Sequence, residues 1–254
     1  MVSVKLLSLA TLVSAVVAQN TTALRYMPFG DSITEITCWR AKLWEKLQGT
    51  DYATVNFVGS GKNENNCRDT KYDRDNEGHS GFLAINIANN KQLVGWLQRN
   101  PADVITMHLG TNDIVQQNKP VDQIIAAFTT LVQVMRDSNP KMKIVSPLKQ
   151  VAQIIPMGMG NFNAKIQALN QAITPWAQAQ NTTESPVWVV DQYTGYSGSA
   201  DNRDGIHPNA GGDDKMVGVW WPALLGAFGA ARADQVAAAA EAAAGERREM
   251  PFMA

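Results

Sequence analysis

Tyr26-Met27-Pro28-Phe29-Gly30-Asp31-Ser32-Ile33-Thr34 is a short apolar run that breaks into Gly-Asp-Ser-Ile-Thr. It reads as a β-strand that delivers a serine to its tip. Outward from it, apolar runs alternate with helical patterns, which argues for an α/β fold with a parallel sheet. Strands are expected at about Leu24 to Phe29, Val55 to Val58, Val104 to Leu109, Lys143 to Pro147 and Val187 to Asp191. Helices are expected at about Trp39 to Gln48, Ala84 to Gln98, Val121 to Asp137 and Phe162 to Gln178, with a last one from about Asn209. The expected fold is a single-domain, flavodoxin-like three-layer sandwich with a five-stranded parallel sheet in the order 2-1-3-4-5. In that order strands one and three are neighbours, and the crevice opens beyond their carboxyl ends. Ser32 follows the first and Asn112 the third, so the topology places them side by side.

A nucleophilic serine needs a base to take its proton and an acid to orient the base. Asp204-Gly205-Ile206-His207-Pro208 offers both. The His207 imidazole can accept the serine proton and return it to a leaving alcohol. Asp204, three residues earlier, can bond the far ring nitrogen across a tight turn. The competing readings are an N-cap for Ser32 and a plain turn with a helix cap for Asp204 and His207. Asn112 in Gly110-Thr111-Asn112-Asp113 has a turn residue as its alternative. His79 reads as loop structure and His108, inside an apolar strand, as a satisfied core residue. Three histidines so scattered give no zinc spacing. Tyr193 and Tyr196, on the loop after strand five, are candidates for stacking on a sugar.

Four blocks occur in order: Phe29-Gly30-Asp31-Ser32-Ile33-Thr34, Asn76-Glu77-Gly78-His79-Ser80-Gly81, Gly110-Thr111-Asn112-Asp113 and Asp204-Gly205-Ile206-His207-Pro208-Asn209-Ala210-Gly211-Gly212. Together they resemble the SGNH (GDS-type) esterase and lipase superfamily, and the wording is most similar to fungal secreted acetylxylan esterases of carbohydrate esterase family three. The resemblance spans roughly Arg25 to Gly226. It implies Ser32, Asp204 and His207 as catalytic residues. It further implies an oxyanion hole made of the Ser32 and Gly81 backbone N–H groups and the Asn112 side-chain amide. The expected activity is removal of acetyl groups from a plant polysaccharide, xylan foremost, through an acyl-serine, with no metal or organic cofactor. Other short acyl esters, such as those of other acetylated sugars, are the alternative. A binding protein of the same fold that has lost activity is the alternative from another class.

The remaining features bound this reading. Met1 to Ala18 carries Lys5, an apolar run from Leu6 to Val17 and the small-residue ending Ala15-Val16-Val17-Ala18, the pattern of a secretory signal peptide. It is too short for a membrane span. With 22 Lys and Arg against 23 Asp and Glu there is no polybasic footprint, so nucleic acid and anionic membrane are not expected partners. Residues 19–230 fit one domain with a full core, expected as a monomer, and residues 231–254 form an alanine-rich tail expected as a frayed helix or a disordered end. The two cysteines, Cys38 and Cys67, are expected to pair as a disulfide in an exported chain. Asn20 and Asn181 stand in sequons and are candidate glycosylation sites. The segment from Gly59 to Gly81 is rich in charge and amides and almost free of aliphatic residues, so it favours a polar substrate over an acyl chain. Its Asp73-x-Asp75-x-Glu77-Gly78 is half of a calcium loop, but position twelve falls on Ala84, and a solvated charged loop is the default. Ile114 and Val115, just past Asn112, are the apolar residues that could wall a hidden groove.

Overall fold

The computed structural model describes residues 22–67, 71–145 and 154–249. The candidate signal peptide 1–18 and the Asn20 sequon lie outside these residues. The strands are β1 (Arg25–Gly30), β2 (Asn56–Phe57), β3 (Glu77–Gly78), β4 (Val104–His108), β5 (Lys143–Val145) and β6 (Val187–Trp188). They form one parallel sheet in the order β2-β1-β4-β5-β6, with β3 also pairing to β1. The five expected strands thus take the expected order. The addition is β3, a two-residue strand inside the polar loop, which brings Gly78 alongside Gly30 and so delivers Gly81 to the serine.

Pro28 stands in the middle of this sheet, where a missing N–H normally breaks a ladder. Along β1 the carbonyls of Leu24, Tyr26 and Gly30 all point to the β2 and β3 side, where they accept from Asn56, Val58 and His79. Pro28 shares their parity, and it lies between the residues paired to β2 and those paired to β3. Its missing N–H therefore faces the gap between two short strands, and no bond is lost.

The helices are α1 (Ser32–Glu35), α2 (Trp39–Leu47), α3 (Ala84–Asn89), α4 (Gln92–Arg99), α5 (Thr111–Val115), α6 (Val121–Ser138), α7 (Asn163–Gln180) and α8 (Ala210–Glu249). Tyr26 meets Phe228 of α8 edge-on, whereas Phe29 meets Trp96 of α4. Residues three apart on a strand point to opposite faces, so β1 is covered on both sides and the architecture is three-layered. The helix expected from Ala84 to Gln98 is two helices. Lys91 adopts φ 53°, a left-handed conformation that a helix cannot pass through.

Of the tail expected as a frayed helix or a disordered end, residues 231–249 continue α8. Arg232 lies over the Tyr52 ring and donates to the Asp51 carbonyl, and Asp234 pairs with Lys143, so the domain's contacts run past residue 230.

The polar loop is organised by a residue that sequence reading did not single out. Arg40 on α2 is fully buried and donates to the carbonyls of Thr34, Glu35, Asn63 and Arg74. A buried guanidinium satisfied by carbonyls ties the loop to the end of α1. The Cys38–Cys67 disulfide, with Cα atoms 5.4 Å apart, fastens the same loop to the start of α2.

Candidate active site

Ser32 sits at the tip of β1 as the first residue of α1. Gly30 allows the turn: a Cβ there would collide with the Thr34 hydroxyl and the His108 carbonyl. Asp31 caps α1, its Oδ1 accepting from the Ile33 N–H at 2.9 Å. Its Oδ2 is buried and without a partner among the described residues. Burial, helped by the nearby Asp113 carboxyl, pushes Asp31 up to about 7.

The acid–base loop completes a relay. Ser32 Oγ lies 2.8 Å from His207 Nε2, and His207 Nδ1 lies 2.8 Å from Asp204 Oδ2. Asp204 Oδ1 accepts the backbone N–H groups of Ile206 at 3.0 Å and His207 at 2.8 Å. Burial acts to raise the Asp204 carboxyl, but those amides and the imidazole outweigh it and hold it at about 2. An ionised acid accepts from Nδ1–H, which leaves Nε2 free to accept from the serine hydroxyl.

The candidate oxyanion donors converge from three segments. Gly81, at φ +79°, follows β3 on an exposed loop. The Ser32 and Gly81 N–H groups have no hydrogen-bond partner among the described residues. Asn112 Nδ2 donates to the Phe82 carbonyl at 3.1 Å, and its Oδ1 accepts from Gln116 Nε2 at 2.9 Å. The glycine loop is also held by Glu35, whose Oε2 accepts the Ser80 N–H at 2.6 Å and whose Oε1 accepts from Asn63. Asp113 anchors the start of α3 by accepting the N–H groups of Ala84 and Ile85. Such an arrangement suits attack by a serine on a carbonyl whose oxygen gains negative charge.

Several sequence expectations need correction. Tyr196 is only 8 % exposed and its hydroxyl donates to Asn202 Oδ1, so it belongs to the core and offers no stacking face. Tyr193 is half-buried with its hydroxyl on Gln167 of α7, outside the serine relay. Their loop turns inward toward α7 and α8 before Asp204 is reached. His108 is in the core but not satisfied: both ring nitrogens lack a partner among the described residues, and burial lowers it to about 4. As expected, His79 serves structure, its ring packed against both Trp96 and Phe82 with Nε2 on Glu77. Ile114 is buried in the core and walls no groove. The apolar surface at the site comes instead from Phe82, 36 % exposed beside Gly81, and Met159, 50 % exposed against Gly205. Neither carries a motif that sequence reading could have used.

The calcium-like carboxylates have other tasks. Asp73 accepts from the Phe57 and Asp75 amides, Asp75 pairs with Lys62, and Glu77 binds Ser60 and His79. Among the described residues no group of three or more His, Cys, Asp or Glu is placed to hold a metal. Asn181 is exposed, with its Oδ1 accepting from the Val187 N–H. A cleft of about 1060 Å³ between α2 and α8 is bordered by Arg203, Pro208 and Asn209 but not by Ser32, Asp204 or His207.

Comparison with known proteins agrees with this geometry. A carbohydrate esterase family 3 protein from Talaromyces cellulolyticus superposes with a TM-score of 0.73 at 38 % identity, covering 80 % of this chain and 96 % of that one. An acetyl esterase crystallised with an acetate ion matches with the same TM-score of 0.73, 38 % identity and the same 80 % and 96 % coverage. A multidomain esterase of Ruminococcus flavefaciens is 29 % identical over an alignment of 224 residues that covers 80 % of this chain but only 28 % of that protein's length. The GDSL-like lipase/acylhydrolase family matches residues 29–215, from the strand that presents Ser32 to the helix after His207. The chain therefore belongs to the GDSL-like lipase/acylhydrolase family of carboxylic ester hydrolases.

Proposed function

We propose that the chain is a secreted serine esterase that removes acetyl groups from plant cell-wall polysaccharide, acetylxylan foremost. The observation that carries the reading is the relay of two 2.8 Å contacts from Ser32 through His207 to Asp204, set beside the Gly81 and Asn112 donors. Ser32 Oγ attacks the ester carbonyl carbon as its proton passes to His207 Nε2. The oxyanion is received by the Ser32 and Gly81 N–H groups and by Asn112 Nδ2. His207 then protonates the departing sugar oxygen, and a water activated by the same imidazole frees acetate from the acyl-serine.

The acetyl preference is supported by the surroundings. Asn63, Glu35 and Ser80 make the glycine side polar, and Phe82 and Met159 are single apolar side chains rather than a groove. Each buried methylene would add about 0.8 kcal/mol in a site able to hold it. The names "acetyl esterase" and "carbohydrate esterase family 3" borne by the similar structures favour the same substrate class. Secretion is supported by the character of Met1 to Ala18 and by the disulfide.

Three measurements test the reading. Acetate release from a panel of acetylated polysaccharides should be fastest on acetylxylan, and kcat/KM on aryl esters should fall from acetyl to butyryl and reach background by octanoyl. A rate that climbs with acyl length would move the assignment to lipid or thioester substrates. A fluorophosphonate should label Ser32; an unlabelled, folded protein would instead be a binding module.

A further inference from the structure

We propose that Gln116 is a positioning residue for the oxyanion hole. Through one amide nitrogen it locks the Gly81 peptide and the Asn112 side chain, contributed by different segments, into a single unit. The proposal rests on the esterase reading above and deepens it.

The hydrogen-bond arithmetic leaves one solution. Gln116 Nε2 lies 3.2 Å from the Gly81 carbonyl oxygen and 2.9 Å from Asn112 Oδ1. Asn112 Nδ2 lies 3.1 Å from the Phe82 carbonyl oxygen. Peptide oxygens only accept, so the atom that Gln116 presents to Gly81 and the atom that Asn112 presents to Phe82 must both be nitrogen. Neither amide can then be turned over without setting oxygen against oxygen. Both hydrogens of Gln116 Nε2 are committed. Asn112 Nδ2 has two hydrogens and uses one on Phe82, so the other remains for the developing oxyanion.

Without Gln116 the site loses this logic. The terminal torsion of asparagine is broad and roughly two-fold. Without the bond to its Oδ1, the Asn112 amide is held by the Phe82 carbonyl alone, so it swings more freely about that torsion and its remaining N–H is less well aimed at a negative charge. Gln116 stands four residues after Asn112, one turn on at the end of α5, which is the spacing at which helical side chains meet. It is exposed, so it adds little to the core. Among the described residues its side-chain hydrogen bonds go to Gly81 and Asn112.

The test is a double-mutant cycle on 4-nitrophenyl acetate, using the whole protein. Gln116→Ala should lower kcat by about 10-fold, short of the 10² to 10³ expected when a donor is deleted outright. KM should stay within about twofold, because the loss falls on the transition state. Gln116→Glu keeps the shape and removes the donor, so it should show the same fall and guards against misfolding of the alanine variant. In an Asn112→Ala background, Gln116→Ala should cost no more than about threefold, the residue of its hold on Gly81, because groups that act as one unit are not additive. Full losses in both backgrounds, an unchanged kcat, or a loss confined to KM would overturn the proposal. No turnover by the parent enzyme would overturn the esterase reading instead.

Discussion

The acid–base loop and the glycine loop both reach the end of β1, yet they are built in opposite ways. In the first, Asp204 reaches two amides and the imidazole within three residues of itself, and the turn carries its own geometry. In the second, Ser80 is held by Glu35 from 45 residues away, Gly81 by Gln116 from 35 and Phe82 by Asn112 from 30. A base must keep one ring in one tautomer, and a short turn is sufficient for that. Oxyanion donors must converge on a point from different directions, which a single segment cannot supply.

The largest test breaks the local side. Asp204→Asn should reduce kcat by as much as ~10⁴, as expected when the orienting acid no longer fixes the tautomer. Ser32→Ala should fall at least as far. The melting temperature should fall by a few degrees at most, since Asp204 is exposed and, among the described residues, pairs with its own turn and Arg203. A loss below about tenfold would mean that the backbone, not the carboxylate, orients His207.

The distributed side should yield a smaller effect on rate. Asn112→Ala removes one donor and should cost about 10² to 10³ in kcat. It also frees the Phe82 carbonyl, so backbone exchange at Ser80 to Phe82 should quicken, whereas Asp204→Asn should leave those amides unchanged. Equal exchange in the two variants would remove the distinction between the loops.

The smallest effect separates two aspartates that the sequence makes look alike. Asp204, with several donors, sits at about 2; Asp31, buried with one amide donor and an orphan oxygen, is pushed up to about 7. The unfolded value for both is about 3.9. A raised folded value means that the native state binds the extra proton, so the Asp31 contribution is fully present below about pH 4 and is lost as pH rises through about 7. The lowered Asp204 contribution runs the other way: it is present above about pH 4 and is lost as pH falls toward 2. Asp213, near the start of α8, is likewise raised by burial to about 7 and titrates with Asp31. Urea midpoints should therefore fall from pH 5 to pH 8 in the parent. In Asp31→Asn that slope should be shallower, whatever the absolute stability. Parallel slopes would show that Asp31 is ionised throughout.

What could be read from the chain was what short-range spacing specifies. The strand before Ser32 and the Asp204-x-x-His207 turn are both within one turn of chain, and the parallel order followed from alternating strands and helices, so residues and topology alone brought Ser32 and Asn112 together. What only the tertiary structure decided depends on partners far apart in sequence. Arg40 gathers four carbonyls, Pro28 is tolerated because β2 and β3 leave a gap beside it, and buried His108 has no partner among the described residues. Gln116 carries no motif, and Phe82 and Tyr196 are aromatic residues in polar loops with opposite fates, one bared beside Gly81 and the other buried. The physical reason is that a hydrogen bond or a buried face is a property of two surfaces, and a residue's own type and neighbours describe only one of them.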